Sequence, residues 1–512
     1  MIESSVLEKG LREFRLSSFR LGQREIITDV LNGNDVLGIL PTGTGKSLCY
    51  QLPAKLLSGT TIIVSPLIAL MLDQVKQLKA ANFKEVIALN SFMNWSERMN
   101  VYKNLQSYKL IYISPELLQN EDLLNYLTQL KVSLFVVDEA HCISQWGHEF
   151  RPDYLKLASI IERLDNPPTL ALSATATRSV QHDIMETLKR PHMIKHIYPI
   201  DKENITFTIQ KVDDNQQKKA IILDILSKVR IPTIIYFSSR RATQEVSEYL
   251  TTRLPNQRIA FYHGGMDPSD RVIVQQQFMN DQLDVICCTS AFGMGIDKAN
   301  IRLVIHYHLS TQIESYIQEV GRAGRDGKES LSILLYNEAD VYIPKNLIEN
   351  ELPTKSMLQI TFNKLYELYI NHQIIPMKTE EIESLLGLNE TQWRFLHYQL
   401  ERHGIIHGSH IKYNSYKWKE AFESISTTQK ERYLFKQTKL NEIIDWIKEE
   451  NCLREQLYKS FQPTYKKALF QCCSNCGFSF AEWKPKQTII TSSKKLSWQE
   501  KLKELLLLEG KT

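Results

Sequence analysis

The sequence lacks any uninterrupted apolar run long enough to cross a bilayer, and its first residues mix charged with apolar side chains. These absences argue against a membrane-spanning protein and against a secretory signal peptide, so we expect a cytoplasmic protein. A strong excess of one charge is also lacking, because the net charge is only +4 over 512 residues. So small a value neither requires nor excludes a nucleic-acid partner, since a basic groove can be a local feature.

The length of the chain predicts roughly three or four domains. Short apolar strands alternate with helical stretches in two successive parts, 1–200 and 201–345, which predicts two parallel α/β lobes joined by a linker around 190–204. The predicted strands are 35–40, 61–64, 110–113, 134–137 and 169–172 in the first lobe, and 233–237, 258–262, 284–288, 303–306 and 331–335 in the second.

A glycine-rich segment follows the first predicted strand, and its residues are Pro41, Thr42, Gly43, Thr44, Gly45, Lys46 and Ser47. Glycines let backbone N–H groups surround phosphate oxygens at the start of a helix, where the helix dipole also favours an anion. We expect Lys46 to neutralise the β- and γ-phosphates of a nucleotide and Ser47 to ligate Mg²⁺. The segment departs from the strict phosphate-loop pattern at Leu40, where a glycine is usual.

An acidic pair, Asp138 and Glu139, follows the apolar strand 134–137. The pair should therefore lie at the carboxyl edge of a parallel sheet, where open α/β folds bind ligands. We expect Asp138 to hold the metal and Glu139 to polarise water. Small hydroxyl residues at the end of a later strand, Ser173 and Thr175, are placed to relay the state of the nucleotide, although this triplet with Ala174 is a weak signal by itself.

Two arginines of the second lobe, Arg322 and Arg325, stand three residues apart among glycines and follow Gln318. Placed across the cleft from the phosphate loop, they would act as arginine fingers, which by analogy with other phosphoryl-transfer enzymes raise the rate by about 10³ or more. The alternative is a solvated salt-bridge face, which the flanking glycines disfavour. We assign Gln318, Arg322 and Arg325 to hydrolysis together with Lys46 and the acidic pair.

Residues 346–425 change to a helical pattern. A short helix at 379–386 and a longer one from 391, with Asn389 as its N-cap, predict a helix-turn-helix. Residues 404–413 predict two short strands around a Gly-Ser turn, a hairpin in the position of a wing. This pattern favours a winged helix, and the alternative is a plain helical bundle that braces the motor.

The cysteines are unevenly distributed. We interpret Cys49, Cys142, Cys287 and Cys288 as small apolar residues, because they are scattered through apolar or motif-bearing segments. The remaining four are gathered near the end of the chain: Cys452, Cys472, Cys473 and Cys476. In a reducing compartment this group predicts a zinc-binding module at 426–480, with unligated thiols as the alternative. A basic and amphipathic tail occupies 481–512.

In this order, the motifs resemble those of the RecQ family of superfamily-two DNA helicases. The resemblance covers residues 11–340 and a second patch at the C-terminal cysteines, where Cys452 is followed closely by Arg454. It implies two tandem RecA-like lobes, a helical or winged-helix region and a small zinc-binding module. Family members commonly place the winged helix after the zinc module, whereas here the candidate winged helix comes first.

The resemblance also implies site residues. Arg20 and Gln23 stand in a segment similar to the family's adenine-reading motif, which implies that ATP is the preferred nucleotide. Residues 140–154 resemble the aromatic-rich loop that distinguishes the family. Trp146 and Phe150 would stack on unpaired bases, at about 1–3 kcal/mol per base, with Arg151 beside them. Burial of both rings is the alternative. DNA-backbone contacts are implied for four residues of the second-lobe motifs, Ser238, Arg240, His263 and Thr289.

We therefore expect an enzyme that uses ATP, Mg²⁺ and Zn²⁺ and unwinds duplex DNA 3′ to 5′ while moving along single-stranded DNA, in recombination or repair. Single-strand-binding or repair proteins are the expected protein partners. One alternative is an RNA helicase of the same superfamily, which would grip 2′-hydroxyls. The other is a DNA-binding scaffold that uses ATP as a switch without turnover.

Overall fold

The computed structural model describes residues 4–90, 93–144, 151–293, 298–376, 378–462, 464–483 and 485. The first lobe is a seven-stranded sheet in the order β3-β4-β2-β5-β6-β1-β7, in which every pairing is parallel. Its strands are β1 (Val36–Ile39), β2 (Thr60–Val64), β3 (Val86–Leu89), β4 (Leu110–Ile113), β5 (Val132–Val137), β6 (Thr169–Ser173) and β7 (Ile194–Ile197).

Helices cover the faces of this sheet. They are α1 (Ser4–Glu13), α2 (Gln23–Leu31), α3 (Leu48–Leu56), α4 (Ile68–Ala80), α5 (Trp95–Lys103), α6 (Glu121–Leu127), α7 (Leu157–Arg163) and α8 (Arg178–Thr187). The central strands are apolar and β-branched, and β1, β2, β4 and β6 are buried along their whole length, as expected for parallel strands covered on both faces.

The second lobe is a six-stranded parallel sheet in the order β10-β11-β9-β12-β13-β8. Its strands are β8 (Ile205–Lys211), β9 (Thr233–Tyr236), β10 (Ile259–Tyr262), β11 (Val285–Cys288), β12 (Leu303–His306) and β13 (Ser330–Tyr336), and its helices are α9 (Asn215–Lys228), α10 (Arg240–Arg253), α11 (Pro268–Met279) and α12 (Ile313–Val320). The two predicted lobes are thus confirmed, and the chain passes from β7, at one edge of the first sheet, directly to β8, at one edge of the second.

The linker predicted around 190–204 is shorter than expected. β7 lies inside that range and pairs with β1, and residues 198–204 connect it to β8. The strands β3, β7 and β8 were not predicted, because their segments are short or mixed in polarity. Residues of β7 are mostly exposed, which gives an edge strand little hydrophobic pattern.

The C-terminal region is helical. It contains α13 (Tyr342–Glu351), α14 (Lys355–Ile370), α15 (Thr379–Leu386), α16 (Glu390–Arg402), α17 (Ser415–Ile447) and α18 (Leu453–Tyr458), with a hairpin of β14 (Ile406–His407) and β15 (His410–Ile411). The predicted N-cap, Asn389, is present at the start of α16 and forms a capping box: its side chain accepts from the backbone of Gln392, and the Gln392 side chain accepts from the Asn389 N–H. The order of helix, turn, helix and hairpin is the one predicted from the sequence.

One helix joins regions that we had expected to be separate. The boundary predicted between residues 425 and 426 lies inside α17, whose 33 residues span about 50 Å at the rise of an α-helix. Its first half packs in the core of the hairpin region through Trp418 and Ile425. Its second half packs with the lobes through Ile443 and Trp446. Among the described residues, no helix has both the length and the apolar character needed to span a membrane.

Candidate nucleotide and nucleic-acid site

The phosphate loop, residues 41–47, connects β1 to α3. Gly43 and Gly45 have φ values of 83° and 74°, a left-handed conformation that favours glycine. The Nζ atom of Lys46 lies 3.7 Å from Oε2 of Glu139, and both side chains are less than one-fifth exposed. The phosphate loop and the acidic pair thus lie side by side. The fold brings them together because β6 is the one strand between β1 and β5 in the sheet.

Asp138 is buried at the end of β5. Its N–H donates to the Val64 carbonyl at 2.9 Å, and the Tyr154 hydroxyl donates to its carbonyl at 3.1 Å. Burial raises the pKa of the Asp138 carboxyl to about 7, and the neighbouring Glu139 carboxylate raises it as well, while Lys46 opposes both. A buried carboxylate of this kind is stabilised by a cation. Its oxygen, together with the Ser47 hydroxyl, fits the hard oxygen ligands that Mg²⁺ prefers.

A polar chain links the acidic pair to the end of β6. The Nδ1 atom of His141 lies 3.5 Å from Glu139 Oε2 and 3.0 Å from the Ser173 hydroxyl. Ser173 in turn donates to the Thr175 carbonyl at 3.0 Å. The hydroxyl residues expected to sense the nucleotide thus contact the acidic pair through His141, and their relay role stays a prediction.

The residues predicted to read adenine contact the phosphate loop itself. Gln23 is 2% exposed, and its Nε2 donates to the carbonyls of Thr44 at 2.7 Å and Gly45 at 2.9 Å. Its Oε1 accepts from the Arg20 N–H at 2.9 Å, while the Arg20 guanidinium donates to the Gly43 carbonyl at 2.7 Å. These bonds fix the loop, and recognition of a base by either residue stays a prediction.

The second lobe contacts the phosphate loop through residues 321–325, here called the arginine loop. The Thr42 hydroxyl donates to the Gly321 carbonyl at 2.8 Å. A Cβ atom built on Gly43 would lie 2.9 Å from Cγ and 3.4 Å from Nε of Arg325, so this side chain rests directly on the loop. The cleft between the lobes is therefore closed around the place where phosphates are expected.

Arg322 faces a different direction. It is buried and donates to the Gly293 carbonyl within the second lobe, and a Cβ on Gly293 would lie 2.6 Å from its Cζ. Gln318 lies half-buried on α12. Of the two predicted fingers, Arg325 is thus the one that contacts the phosphate loop in this conformation. Assignment of Arg322 and Gln318 to hydrolysis remains a prediction.

The second-lobe residues predicted to contact DNA gather at the carboxyl ends of three adjacent strands, β10, β11 and β9. Thr289 follows β11, and its N–H donates to the Tyr262 carbonyl at 3.1 Å. His263 follows β10, and burial together with the charge of Arg240 lowers its pKa. Ser238 follows β9 and donates its N–H to Nδ1 of His308 at 3.1 Å. Exposed Arg240 completes the group, so this edge is suited to a phosphate backbone.

In the first lobe, Trp146 and Phe150 lie outside the described residues. Arg151 is described: its Nη1 lies 3.3 Å from Glu116 Oε1, and its N–H donates to the Cys142 carbonyl. The segment that follows contacts the helical region, since Nζ of Lys156 lies 3.5 Å from Oε2 of Glu401 on α16. The described residues that flank positions 145–150 therefore lie close to the acidic pair, and Lys156, a little further along the chain, lies close to α16.

The four C-terminal cysteines converge. Their sulfur atoms all lie within 4.8 Å of one another, and the Sγ atoms of Cys452 and Cys472 are 3.6 Å apart. Four thiolates in a tetrahedron around zinc require sulfur separations of about 3.8 Å, so the group fits this metal. A hydrogen bond from Cys472 lowers the pKa of the Cys473 thiol to about 4. Cys472 and Cys473 are adjacent in sequence, which is unusual for zinc ligands, yet the sulfur atoms of both lie in the same cluster.

The other cysteines are buried, as expected for small apolar residues. Burial raises the pKa of Cys49 to about 12, and it also raises the pKa of Cys287 and Cys288, which disfavours reactive thiolates.

Several residues of the site were not found from the sequence. Lys202 and Asn204, on the linker, donate to carbonyls of the arginine loop, and His308 accepts from Ser238. No motif marks them, because each contact joins residues that are 70 or more positions apart.

Comparison with known proteins agrees with this geometry. Residues 20–183 match the DEAD/DEAH box helicase family model and residues 217–327 match the helicase conserved C-terminal domain. Among solved structures, the Mycobacterium smegmatis helicase Lhr bound to single-stranded DNA and AMP-PNP superposes with a TM-score of 0.56 at 17% identity, over 82% of this chain and 62% of that one. At this identity the likeness shows the fold alone. The two family models, together with the two-lobed fold, define the class as a helicase.

Two relatives define the family more narrowly. The chain is 38% identical over 498 residues to the probable ATP-dependent DNA helicase RecS of Bacillus subtilis, covering 97% of each chain. It is 40% identical over 378 residues to the ATP-dependent DNA helicase RecQ of Haemophilus influenzae, covering 71% of this chain and 60% of that one. The chain belongs to the RecQ family of ATP-dependent DNA helicases.

Proposed function

We propose that this chain hydrolyses ATP with Mg²⁺ to move 3′ to 5′ along single-stranded DNA and to unwind duplex DNA, in recombination or repair in the cytoplasm. The observation that carries the proposal is the packing of Arg325 on Gly43, on the loop that contains Lys46. In this proposal, Lys46 of the first lobe and Arg325 of the second contact the same triphosphate when the cleft is closed. Opening and closing the cleft during hydrolysis would then move the lobes along a strand.

Each residue has a defined task in this proposal. Lys46 binds phosphate, Ser47 and Asp138 hold Mg²⁺, and Glu139 orients the attacking water. Bound Mg²⁺ would offset negative charge on the phosphates. Arg325 stabilises the charge that develops in the transition state. Glu139 Oε2 is buried and lies 3.7 Å from Lys46 Nζ and 3.5 Å from His141 Nδ1, so its carboxylate is beside the phosphate loop, where the proposal needs a group that orients water.

The four clustered cysteines would hold a structural Zn²⁺, in keeping with sulfur atoms that all lie within 4.8 Å of one another. A purified chain should contain one zinc per molecule. Replacing Cys476 by serine should lower the zinc content per molecule and the unfolding temperature. The control variant Cys49→Ser should change neither the zinc content nor the effect of zinc removal on the unfolding temperature. Equal zinc content in the two variants would contradict the assignment.

The decisive test measures phosphate release and strand separation together. We expect hydrolysis to be stimulated by single-stranded DNA more than by RNA of the same sequence, and duplexes with a 3′ tail to be unwound in preference to those with a 5′ tail. Lys46→Ala should abolish both activities. Stronger stimulation by RNA would favour the RNA-helicase alternative, and unchanged turnover in Lys46→Ala would refute the nucleotide site. Binding of ATP and DNA without turnover in the parent would favour the scaffold.

The hairpin of β14 and β15 is our candidate for the strand-separating wedge, since it is a short hairpin beside α16, and α16 contacts the first lobe through Lys156. Deleting its tip should spare DNA-stimulated hydrolysis and impair unwinding. Equal loss of both activities, or of neither, would contradict this role.

A further inference from the structure

The linker between the lobes contacts the arginine loop at both of its ends. The Lys202 Nζ atom donates to the Gly321 carbonyl at 2.5 Å and to the Ala323 carbonyl at 3.3 Å. Two residues further along, Asn204 Nδ2 donates to the Gly324 carbonyl at 2.8 Å. Linker side chains therefore hold the backbone on both sides of the segment that leads to Arg325.

One acceptor is shared between the lobes. The Gly321 carbonyl accepts from Lys202 and also from the Thr42 hydroxyl of the phosphate loop. At the other end, a Cβ atom on Gly324 would lie 2.3 Å from Asn204 Nδ2, so the linker and the arginine loop are in van der Waals contact. A shift of Lys202 would thus move the backbone that presents Arg325 to Gly43.

The linker is itself fixed from the opposite side. Arg454 is 1% exposed and donates to Asp201 Oδ1 at 2.5 Å, to the Lys202 carbonyl at 2.8 Å and to the Ile205 carbonyl. Gln462 accepts the Ile200 N–H at 2.8 Å. The segment that follows the first lobe is therefore immobilised by the cysteine-bearing module, and Lys202 extends from a rigid support.

We propose that Lys202 is a positioning residue for the arginine finger: it holds the arginine loop so that Arg325 lies over the phosphate loop. This inference rests on the proposed function. Lys202 contacts backbone carbonyls of the loop, and its effect on hydrolysis passes through Arg325. Interactions realised in the transition state change kcat, whereas the affinity for ADP, which lacks the γ-phosphate, depends little on the finger.

The test compares Lys202→Met with Glu203→Gln in the full-length chain. Glu203 is on the same linker, but its carboxylate lies near Lys466 and not on the arginine loop. Lys202→Met should lower kcat for DNA-stimulated hydrolysis by about 10-fold or more, since small misplacements of a catalytic group are costly. Its KM for ATP and its affinity for ADP should change less than about 3-fold. Lys202→Arg should recover most of the rate, and Glu203→Gln should behave as the parent.

A double-mutant cycle separates positioning from a general structural effect. In an Arg325→Ala background, Lys202→Met should cause no further loss of residual hydrolysis, because the finger it positions is absent. A further loss of the same size, or a joint loss of ADP affinity and kcat in the single variant, would overturn the inference. An unchanged kcat in Lys202→Met beside an impaired Arg325→Ala would also overturn it and leave the proposed function standing. An unchanged kcat in Arg325→Ala would refute the finger itself.

Discussion

Arg325 of the second lobe packs on Gly43 of the first, so closely that a Cβ atom on the glycine would lie 2.9 Å from the arginine Cγ. The φ of Gly43, 83°, is unfavourable for other residues. Two constraints therefore act on one position: the backbone conformation of the phosphate loop, and the space needed by a side chain from the facing lobe. In the proposed nucleotide site, both lobes therefore contribute to one position.

Arg325→Ala should lower kcat for DNA-stimulated ATP hydrolysis by about 10³, because it removes a charge that stabilises the transition state. ADP affinity should stay close to that of the parent. Lys328→Ala is the matched control, since Lys328 is largely exposed and lies just beyond the arginine loop. Steady-state phosphate release and ADP titration check both expectations, and a similar fall in the two variants would contradict them.

Gln23→Glu should raise the KM for ATP by about 5- to 30-fold. The substitution replaces an amide donor by a carboxylate that faces the carbonyls of Thr44 and Gly45, so two hydrogen bonds, worth about 1–2 kcal/mol net together, give way to repulsion. Arg24→Gln, on the exposed side of the same helix, is the control. Initial rates over a range of ATP concentrations measure the effect, and an unchanged KM would show that these bonds do not maintain the loop.

Arg454→Met should lower the unfolding temperature by roughly 6 °C or more. Removing one partner of a buried ion pair costs about 3–5 kcal/mol, because Asp201 stays buried and its pKa is already raised by burial. The variant Arg454→Met/Asp201→Leu should be more stable than Arg454→Met alone, since no charge is then buried without a partner. Thermal denaturation followed by circular dichroism compares them, and a double variant less stable than Arg454→Met would contradict the reasoning.

Stability should fall below pH 6.5 in part because of His308. Burial, together with the charge of Lys218, lowers its pKa from 6.5 to about 3. Between these two pKa values, His308 binds a proton in the unfolded chain but not in the folded chain. Its contribution to the free energy of unfolding is therefore present above pH 6.5 and is lost as the pH falls, by about 2 kcal/mol at pH 5. His308→Asn keeps an acceptor for the Ser238 N–H and should show a smaller loss of stability between pH 7 and pH 5. Denaturant titrations at the two pH values decide, and equal losses would count against His308.

Local patterns predicted much of this molecule. The strands β1, β2, β4, β5 and β6 and five of the second lobe consist mainly of apolar residues, and the capping box of α16 depends on residues three positions apart. The phosphate loop and Asp138 were predictable because each follows a strand directly, and parallel strands bring their carboxyl ends to one edge. These signals are contained within short windows of sequence.

The contacts of the linker were not predictable in this way. Lys202 and Gly321 are 119 positions apart, and Arg454 and Asp201 are 253 apart. In sequence, a lysine or arginine that makes such a contact looks the same as one whose side chain is in solvent. Only the folded chain therefore identifies Lys202 and Arg454 as residues that make these contacts. Arg322 and Arg325 illustrate the same limit, since their shared motif does not reveal that one is buried against Gly293 while the other reaches Gly43.

The continuity of α17 has a consequence for any attempt to divide this protein. A chain cut at residue 425 would end in the middle of a helix, and the remaining piece would expose the apolar side chains of Leu440, Ile443 and Trp446, which now pack with the lobes. The hairpin region and the cysteine-bearing module are thus not exchangeable units. A chimera or truncation that preserves solubility must retain α17 as a whole or remove it together with both of its neighbours.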